Sequence, residues 1–193
     1  HFLLGLVLSR GTMRHRDKSV HISWGNGLTE EKLKGILERI GFHITRYRSG
    51  FMIPYVRLYR YLEVLGVGKS RQRRIPPIVL YRDLSSKTGA IADLNCLTFL
   101  RDAMLIGNGH IGPYCGSGRF VTSSDGLASD FLILCTLTGM SAKKSVWKNG
   151  TSVVSFSLCS SKEFSVRPCG EYTGRVYCIG VPDTHAFIVR QDG

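Results

Sequence analysis

The sequence predicts an α+β protein built from two similar halves. Three observations carry this: residues 2–48 and 99–148 present the same kinds of segment in the same order; each set opens on an apolar helical stretch closed by a glycine; and each continues through a basic, β-prone stretch to a second helix. With 43% hydrophobic and 21% charged residues and a mean hydropathy of +0.01, the composition is that of a folded chain, since disordered chains are poor in apolar residues. The 193 residues suffice for one full core, or for two half-domains sharing one, without disulfide staples.

Residues 3–11 read Leu-Leu-Gly-Leu-Val-Leu-Ser-Arg-Gly, and residues 101–109 read Arg-Asp-Ala-Met-Leu-Ile-Gly-Asn-Gly. Each is an apolar helix with a small residue in the middle, Gly5 or Ala103, that lets another backbone come close. Gly11 and Gly109 are expected to close them in a left-handed cap. The β-prone stretches 13–24 and 110–123 follow, then the turns 25–28 and 124–127. Helix 29–40 aligns Leu33, Ile36, Leu37 and Ile40 as an apolar stripe and carries Glu30 and Glu31 where a helix start favours acids. Its counterpart, 128–138, is almost wholly apolar and should be buried more deeply. Gly41 and Gly139 end these helices, and each leads to a basic strand, 43–48 or 141–148.

Between the halves lie an amphipathic piece, 56–65, a basic turn, 68–74, and Ile75-Pro76-Pro77, which stops any helix. The polar run 85–89 reads as linker. The resulting division is 1–84 for the first half, 85–98 for the linker, 99–165 for the second half and 166–193 for a β tail.

Lys and Arg number 26 against 14 acids, giving +12 at neutral pH and a pI near 9.7. Such an excess is expected to attract a polyanion, nucleic acid first. The six cysteines include no C-x-x-C pair and no zinc-finger spacing, so no structural metal is expected and a reducing, intracellular compartment fits best. The apolar start ends at Ser9-Arg10-Gly11, too short to span a membrane and without the basic front of a signal peptide. A chain that begins at His1 rather than Met fits a processed product, a fragment or the ordered part of something longer.

Two apolar helices that end in a near-repeat, each followed by basic strands and a second helix, resemble the monomeric, two-repeat LAGLIDADG homing endonucleases over most of the chain. The resemblance implies two pseudo-symmetric αββαββ-type halves forming a saddle of antiparallel sheets, lying over DNA, around a central pair of motif helices. It also implies an acid just before the final glycine of each motif. The two carboxylates hold divalent metal between the scissile phosphates, where it polarises phosphoryl oxygens and lowers the pKa of the attacking water. Here those positions are Arg10 and Asn108. A guanidinium is a permanent cation, and a neutral amide is a poor ligand for a hard cation, so cleavage is expected to be lost or severely impaired. No metal or other cofactor is then expected, Mg2+ entering only if the endonuclease reading survives. Asp17, Asp102 and Asp125 are the nearby acids available as substitutes.

Residues 174–189 also resemble the penultimate conserved block of an intein, with Cys178 where Asp is more usual; a plain β-hairpin turning at Pro182-Asp183 explains them equally well. With His1 at one end and Gly193 at the other, the chain as given is not expected to splice.

Strand alternation places Arg14, Arg16 and Lys18 on one face, with Arg46 and Arg48 on a neighbouring strand as the expected base readers. Arg119, Lys143, Lys144 and Lys148 are the candidates in the second half, and Lys69, Arg71, Arg73 and Arg74 are expected to add phosphate contacts at the edge. His21, His110 and His185 receive no catalytic role, and Trp24 and Trp147 read as packing residues.

Three functions remain in competition: a cleavage-deficient nucleic-acid binder; a structural RNA-binding component of an organellar ribonucleoprotein, whether ribosome or intron maturase; and an active-site-substituted DNA endonuclease. The partner is duplex DNA or structured RNA, with ribonucleoprotein neighbours in the second case. The expected form is an intracellular, non-membrane monomer, in a mitochondrion or other organelle if the ribonucleoprotein reading holds.

Overall fold

The computed structural model describes residues 1–25, 28–67, 70–80, 93–112 and 116–158. The chain divides into two compact units, His1–Ser161 and Lys162–Gly193, and every described residue belongs to the first. The intein-like segment with Cys178 and His185, the polar run 85–89 and Lys69 lie outside the described residues.

The first half runs α1 (Phe2–Arg10), β1 (Gly11–Arg14), β2 (Ser19–Ser23), α2 (Glu30–Arg39), β3 (Thr45–Tyr47) and β4 (Gly50–Ile53). After α3 (Val56–Val64), a 3-10 turn at Ser70–Gln72 and α4 (Pro77–Leu80), the second half repeats the order. It consists of α5 (Leu94–Asn108), β5 (Gly109–Ile111), β6 (Gly118–Thr122), α6 (Asp125–Leu137), β7 (Ser141–Val146) and β8 (Ser152–Ser157). Each half forms a four-stranded antiparallel sheet, ordered β1-β2-β4-β3 and β5-β6-β8-β7. The αββαββ pattern is therefore present twice.

α1 and α5 pack against each other, and Gly5 permits it. A Cβ at Gly5 would stand 2.6 Å from the Leu100 carbonyl oxygen and 2.7 Å from the Ala103 Cβ, so the two small residues meet at the crossing. One continuous apolar core spans both halves, taking in Leu6 and Leu8 of α1, Leu100 and Met104 of α5, Leu33 and Leu37 of α2, and Phe131 and Leu134 of α6. Val20, Ile22, Phe51 and Ile53 supply the helix-facing side of the first sheet, and Phe120, Val154 and Phe156 that of the second.

Several boundaries differ from the sequence reading, each for a local reason. Gly11 and Gly109 are extended, with φ of −78° and −92°, not left-handed. Glycine is needed there because a Cβ would meet the backbone four residues back, 2.6 Å from the Val7 Cα in one case and 2.7 Å from the Leu105 Cα in the other. The left-handed glycines are Gly41 and Gly139, at φ +86° and +79°. The stretches 25–28 and 124–127 are not equivalent. Gly25 bridges to Leu28, and Thr29 then caps α2 by accepting from the Lys32 N–H at 3.3 Å; Ser124 caps α6 directly, accepting from the Leu127 N–H at 3.2 Å.

β4 and β8 are the inner strands that complete the sheets, although residues from 51 onward read as connection between the halves. At four residues β4 is too short to display a period. α3 confirms the amphipathic piece, burying Tyr59 and Leu62. Pro77 begins α4 rather than stopping a helix, because the first helical position needs no backbone N–H. α5 starts at Leu94, inside the stretch assigned to linker, with Asp93 accepting from the Asn95 N–H. Among the described residues no helix is long and apolar enough to cross a membrane.

Candidate nucleic-acid interface

The C-terminal ends of α1 and α5 lie side by side and are tied to each other. Arg10 Nε donates to the Gly107 carbonyl at 2.7 Å, and Asn108 Nδ2 donates to the Ser9 carbonyl at 2.8 Å. Each side chain reaches the carbonyl just before its counterpart in the other helix. Helix ends leave carbonyls without intrahelical partners, and these donors satisfy one on each side. The approach is close enough that a Cβ on Gly107 would overlap Ser9. The positive charge of Arg10 also suits the negative end of a helix dipole.

Arg73 completes the closure of α1. Its side chain is buried, and its guanidinium donates to the carbonyls of Leu8, at 3.1 Å, and Gly11. Burial pushes the guanidinium pKa of both Arg10 and Arg73 below the ordinary arginine value.

These residues do not fit a divalent metal. One position holds a cation and the other directs an amide N–H at a carbonyl, so neither offers an anionic oxygen. The nearby acids are engaged elsewhere: Asp17 with Ser19 and Arg14, Asp102 with Arg101, and Asp125 with Ser152 and Lys144. Among the described residues no three His, Cys, Asp or Glu side chains cluster as a ligand set.

Strand register sorts the basic residues by face. In the first sheet Thr12, His21, Met52 and Thr45 form one row across the four strands, on the side away from the core residues Val20, Ile22, Phe51 and Ile53. Arg14 and Tyr47 share that open side. The Arg14 guanidinium lies over the Tyr47 ring at 4.7 Å, and that of Arg48, at a positive φ in the β3–β4 turn, lies at 5.4 Å from the same ring. His21 bonds the Tyr47 carbonyl at 3.2 Å. In the second sheet the corresponding row is His110, Arg119, Ser155 and Lys143, all exposed. Two rows thus cross two sheets at matching positions, and the second is far more basic.

The helix-facing side uses its basic residues for structure. Arg46 pairs with Phe51 in register and therefore points to the core side, where it forms a two-pronged ion pair with Glu30 at 2.8 and 2.9 Å. Lys144, opposite Val154, does the same in the second half, reaching Asp125 at 2.6 Å. Each pair fastens an outermost strand to the first residue of the second helix. Arg46 is accordingly not placed as a base reader, and β3 is not the neighbour of β1 but the opposite edge of the sheet.

Other sequence candidates scatter. Arg16 and Lys18 sit in the β1–β2 turn rather than on a strand, and Lys18 leans over the Tyr59 ring at 5.1 Å. Arg71 is exposed on the 3-10 turn. Arg74 binds the buried carboxylate of Asp130 through Nε and Nη2, both at 2.7 Å, while the Ile75 N–H donates to Asp130 at 2.8 Å. Arg73 and Arg74 therefore dock the connection between the halves against α1 and α6, in place of an edge contact. Lys148 and the half-exposed Trp147 lie at the β7–β8 turn. Trp24 packs on Phe51 at 5.4 Å. Tyr47 and Met52 were missed by sequence reasoning, since their place on the open face follows only from register.

No protein-family model and no curated protein sequence matches the chain. Solved structures do. Full-length DUF199/WhiA from Thermatoga maritima aligns with a TM-score of 0.54 and 11% identity over 81% of this chain. The chain spans about half of that protein, 49% of its length. The N-terminal LAGLIDADG domain of DUF199/WhiA aligns with a TM-score of 0.50 and 9% identity, covering 81% of this chain and 72% of that one. The homing endonuclease I-DmoI, solved in complex with DNA and manganese, aligns with a TM-score of 0.50 and 12% identity, covering 81% of this chain and 88% of that one. Together with the doubled αββαββ order, the paired sheets and the central α1–α5 contact, these likenesses establish that the chain has the LAGLIDADG fold.

Proposed function

We propose that the protein binds duplex nucleic acid across the open faces of its two sheets and does not cleave it by metal-assisted hydrolysis. The observation that carries this reading is the division of basic residues between faces. On the helix side Arg46, Lys144, Arg73 and Arg74 are consumed by carboxylates or helix-end carbonyls, while Arg14, Arg48, His110, Arg119 and Lys143 stand on or beside the open side. Of these only Arg14 has an acidic partner among the described residues, Asp17 at 3.3 Å, and charge so retained on one face is the footprint of a polyanion partner. Protein neighbours of the same fold include one solved in complex with DNA, which supports a nucleic-acid partner.

Phosphate contacts position a duplex and make its binding steeply salt-dependent, whereas base edges are read by side chains that enter the grooves. In the second sheet Arg119 and Lys143 have the reach for such readout, and in the first Arg14 does. Loss of hydrolysis follows from the helix ends: an arginine and an amide that donate to carbonyls supply neither the charge nor the lone pairs that a metal requires.

The test is fluorescence anisotropy with random duplex DNA and with a structured RNA across a series of chloride concentrations. Salt-sensitive binding of the DNA duplex is the expected result, with a log–log slope of about five if six phosphates are contacted. A strong preference for the structured RNA would transfer the function to RNA, and absence of binding to either would overturn the reading.

A further inference from the structure

Among the described residues, no acid answers the positive charge of Arg10. Its guanidinium has five N–H donors, of which, among the described residues, Nε is paired, to the Gly107 carbonyl. Nη2 is buried and has no hydrogen-bond partner. No carboxylate forms an ion pair with it among the described residues. A half-buried guanidinium without counter-charge is costly, so a fold that retains one is expected to meet an anion from outside. The more deeply buried Arg73 also keeps one unpartnered nitrogen, Nε, but both of its Nη atoms are spent on the carbonyls that end α1, so its outer donors are already engaged.

The surroundings of Arg10 include Gly25 and Ser23. The Arg10 guanidinium lies against Gly25, where a Cβ would stand 3.6 Å from Nη1 and 4.0 Å from Nη2. Gly25 lies two residues beyond Ser23, the last residue of β2, whose side chain shares the open face of the first sheet with His21. Ser23 in turn donates to the Arg10 carbonyl at 3.3 Å. Gly25 itself has φ +130°, a conformation that side-chain-bearing residues rarely adopt, so this space beside the guanidinium is kept clear by backbone geometry.

We propose that Arg10 is an anion-binding residue at the middle of the interface, whose guanidinium holds a phosphodiester of the bound duplex directly. This rests on the nucleic-acid reading above and adds to it a fixed cation where the resemblance places a divalent metal. The bond from Nε to the Gly107 carbonyl orients the planar group in advance and leaves Nη1 to donate to a phosphate oxygen, the positive charge being delocalised over the whole group. Binding then needs no divalent cation.

The experiment compares the full chain with its Arg10→Gln and Arg10→Lys variants on the same duplex across a chloride series, with magnesium or EDTA at matched ionic strength. The wild type is expected to bind equally in magnesium and EDTA. Arg10→Gln is expected to lower the log–log salt slope by about 0.9, the share of one phosphate, while Arg10→Lys keeps the wild-type slope. An unchanged slope in Arg10→Gln, or magnesium-dependent binding by the wild type, overturns the assignment. If Arg10→Gln gives no cooperative melt, Arg10→Lys decides, because it keeps the charge and removes only the planar donors: a wild-type slope that is the same in magnesium and EDTA supports the assignment, and a slope lowered by about 0.9 despite the retained charge overturns it.

Calorimetric titration with inorganic phosphate separates a free anion from the backbone. Saturable phosphate binding that Arg10→Gln abolishes, with the duplex slope unaltered, would assign the site to the free ion and contradict the proposal. If the wild type binds no duplex at any salt, the nucleic-acid reading fails; if it binds and only the Arg10 comparison is flat, the reading stands and this site falls.

Discussion

Arg10 and Asn108 close each other's helices: the arginine donates to the carbonyl preceding the asparagine, and the asparagine donates to the carbonyl preceding the arginine. The pseudo-two-fold relation of the halves makes the two bonds equivalent. A pair of carboxylates in the same places would face two carbonyl oxygens and each other, an arrangement that requires a bound cation. Donor side chains instead satisfy those carbonyls directly.

The closest approach of α1 and α5 predicts opposite effects for two glycine substitutions. Gly5→Val drives side-chain atoms into Leu100 and Ala103 and should destabilise the protein by about 2–4 kcal/mol, since the core has no room to yield. Gly35→Ala, inside α2 with nothing within 4 Å, should stabilise it by about 0.5–1 kcal/mol through helix propensity. Urea unfolding of both variants beside the wild type checks the pair, and equal signs would show the crossing to be looser than described.

Asp130 is the anchor of the connection between the halves. Its buried carboxylate accepts from Arg74 twice and from the Ile75 N–H, so Asp130→Ala leaves a buried amide and a guanidinium without their acceptor. The loss should be about 2–3 kcal/mol, below the range for a fully buried pair because Arg74 is 58% exposed. Arg74→Gln should cost less than Asp130→Ala, because the amide keeps its bond; the two unfolding free energies decide the order.

Face assignment predicts which arginine matters for binding. Arg14→Gln should weaken duplex affinity and reduce its salt slope by about one, whereas Arg46→Gln should leave the slope unaltered and loosen only the strand it fastens to Glu30. Anisotropy titrations at three salt concentrations suffice. A larger slope change in Arg46→Gln than in Arg14→Gln would mean the faces are reversed.

Burial pushes the Cys135 thiol from 9.0 up to about 12. Because the folded value is the higher one, the contribution to stability is whole below pH 9 and is lost as pH rises from there toward 12. Between pH 8 and pH 10 the wild type should therefore lose about 1.4 kcal/mol more than Cys135→Ala does, over and above the constant cost of the cavity. Equal losses in the two proteins would place the thiol in contact with solvent.

The repeated apolar helices and their terminal glycines were legible because each rests on local pattern: Gly5 opposite Ala103, Gly41 and Gly139 at equivalent helix ends, and the stripe from Leu33 to Ile40 of which Leu33 and Leu37 are fully buried. The pairing of Arg10 with Asn108 was legible as two equivalent places in a repeated motif, though not their reciprocal bonds, which join residues almost a hundred positions apart. The basic charge was legible in the sequence, but its division between the two faces of each sheet was not. A basic strand residue faces the core side or the open side according to register, and register is fixed by pairing with strands such as β4 that are too short to announce themselves. Arg46 and Lys144 were misplaced for that reason, and Tyr47 went unseen. Arg73 and Arg74 read as a surface charge run because nothing in their own neighbourhood reveals Asp130 or the carbonyls of Leu8 and Gly11.

The most direct test of the account is to incubate the wild-type protein with supercoiled plasmid at low salt, in magnesium, manganese or EDTA, while recording both band retardation and topology. Retardation that is the same in all three, relieved by added salt, with the plasmid still supercoiled after deproteinisation, is the predicted result. Conversion to open-circular or linear plasmid in magnesium or manganese but not in EDTA would contradict it, and with it the reading of the α1 and α5 ends as a closed, metal-free contact.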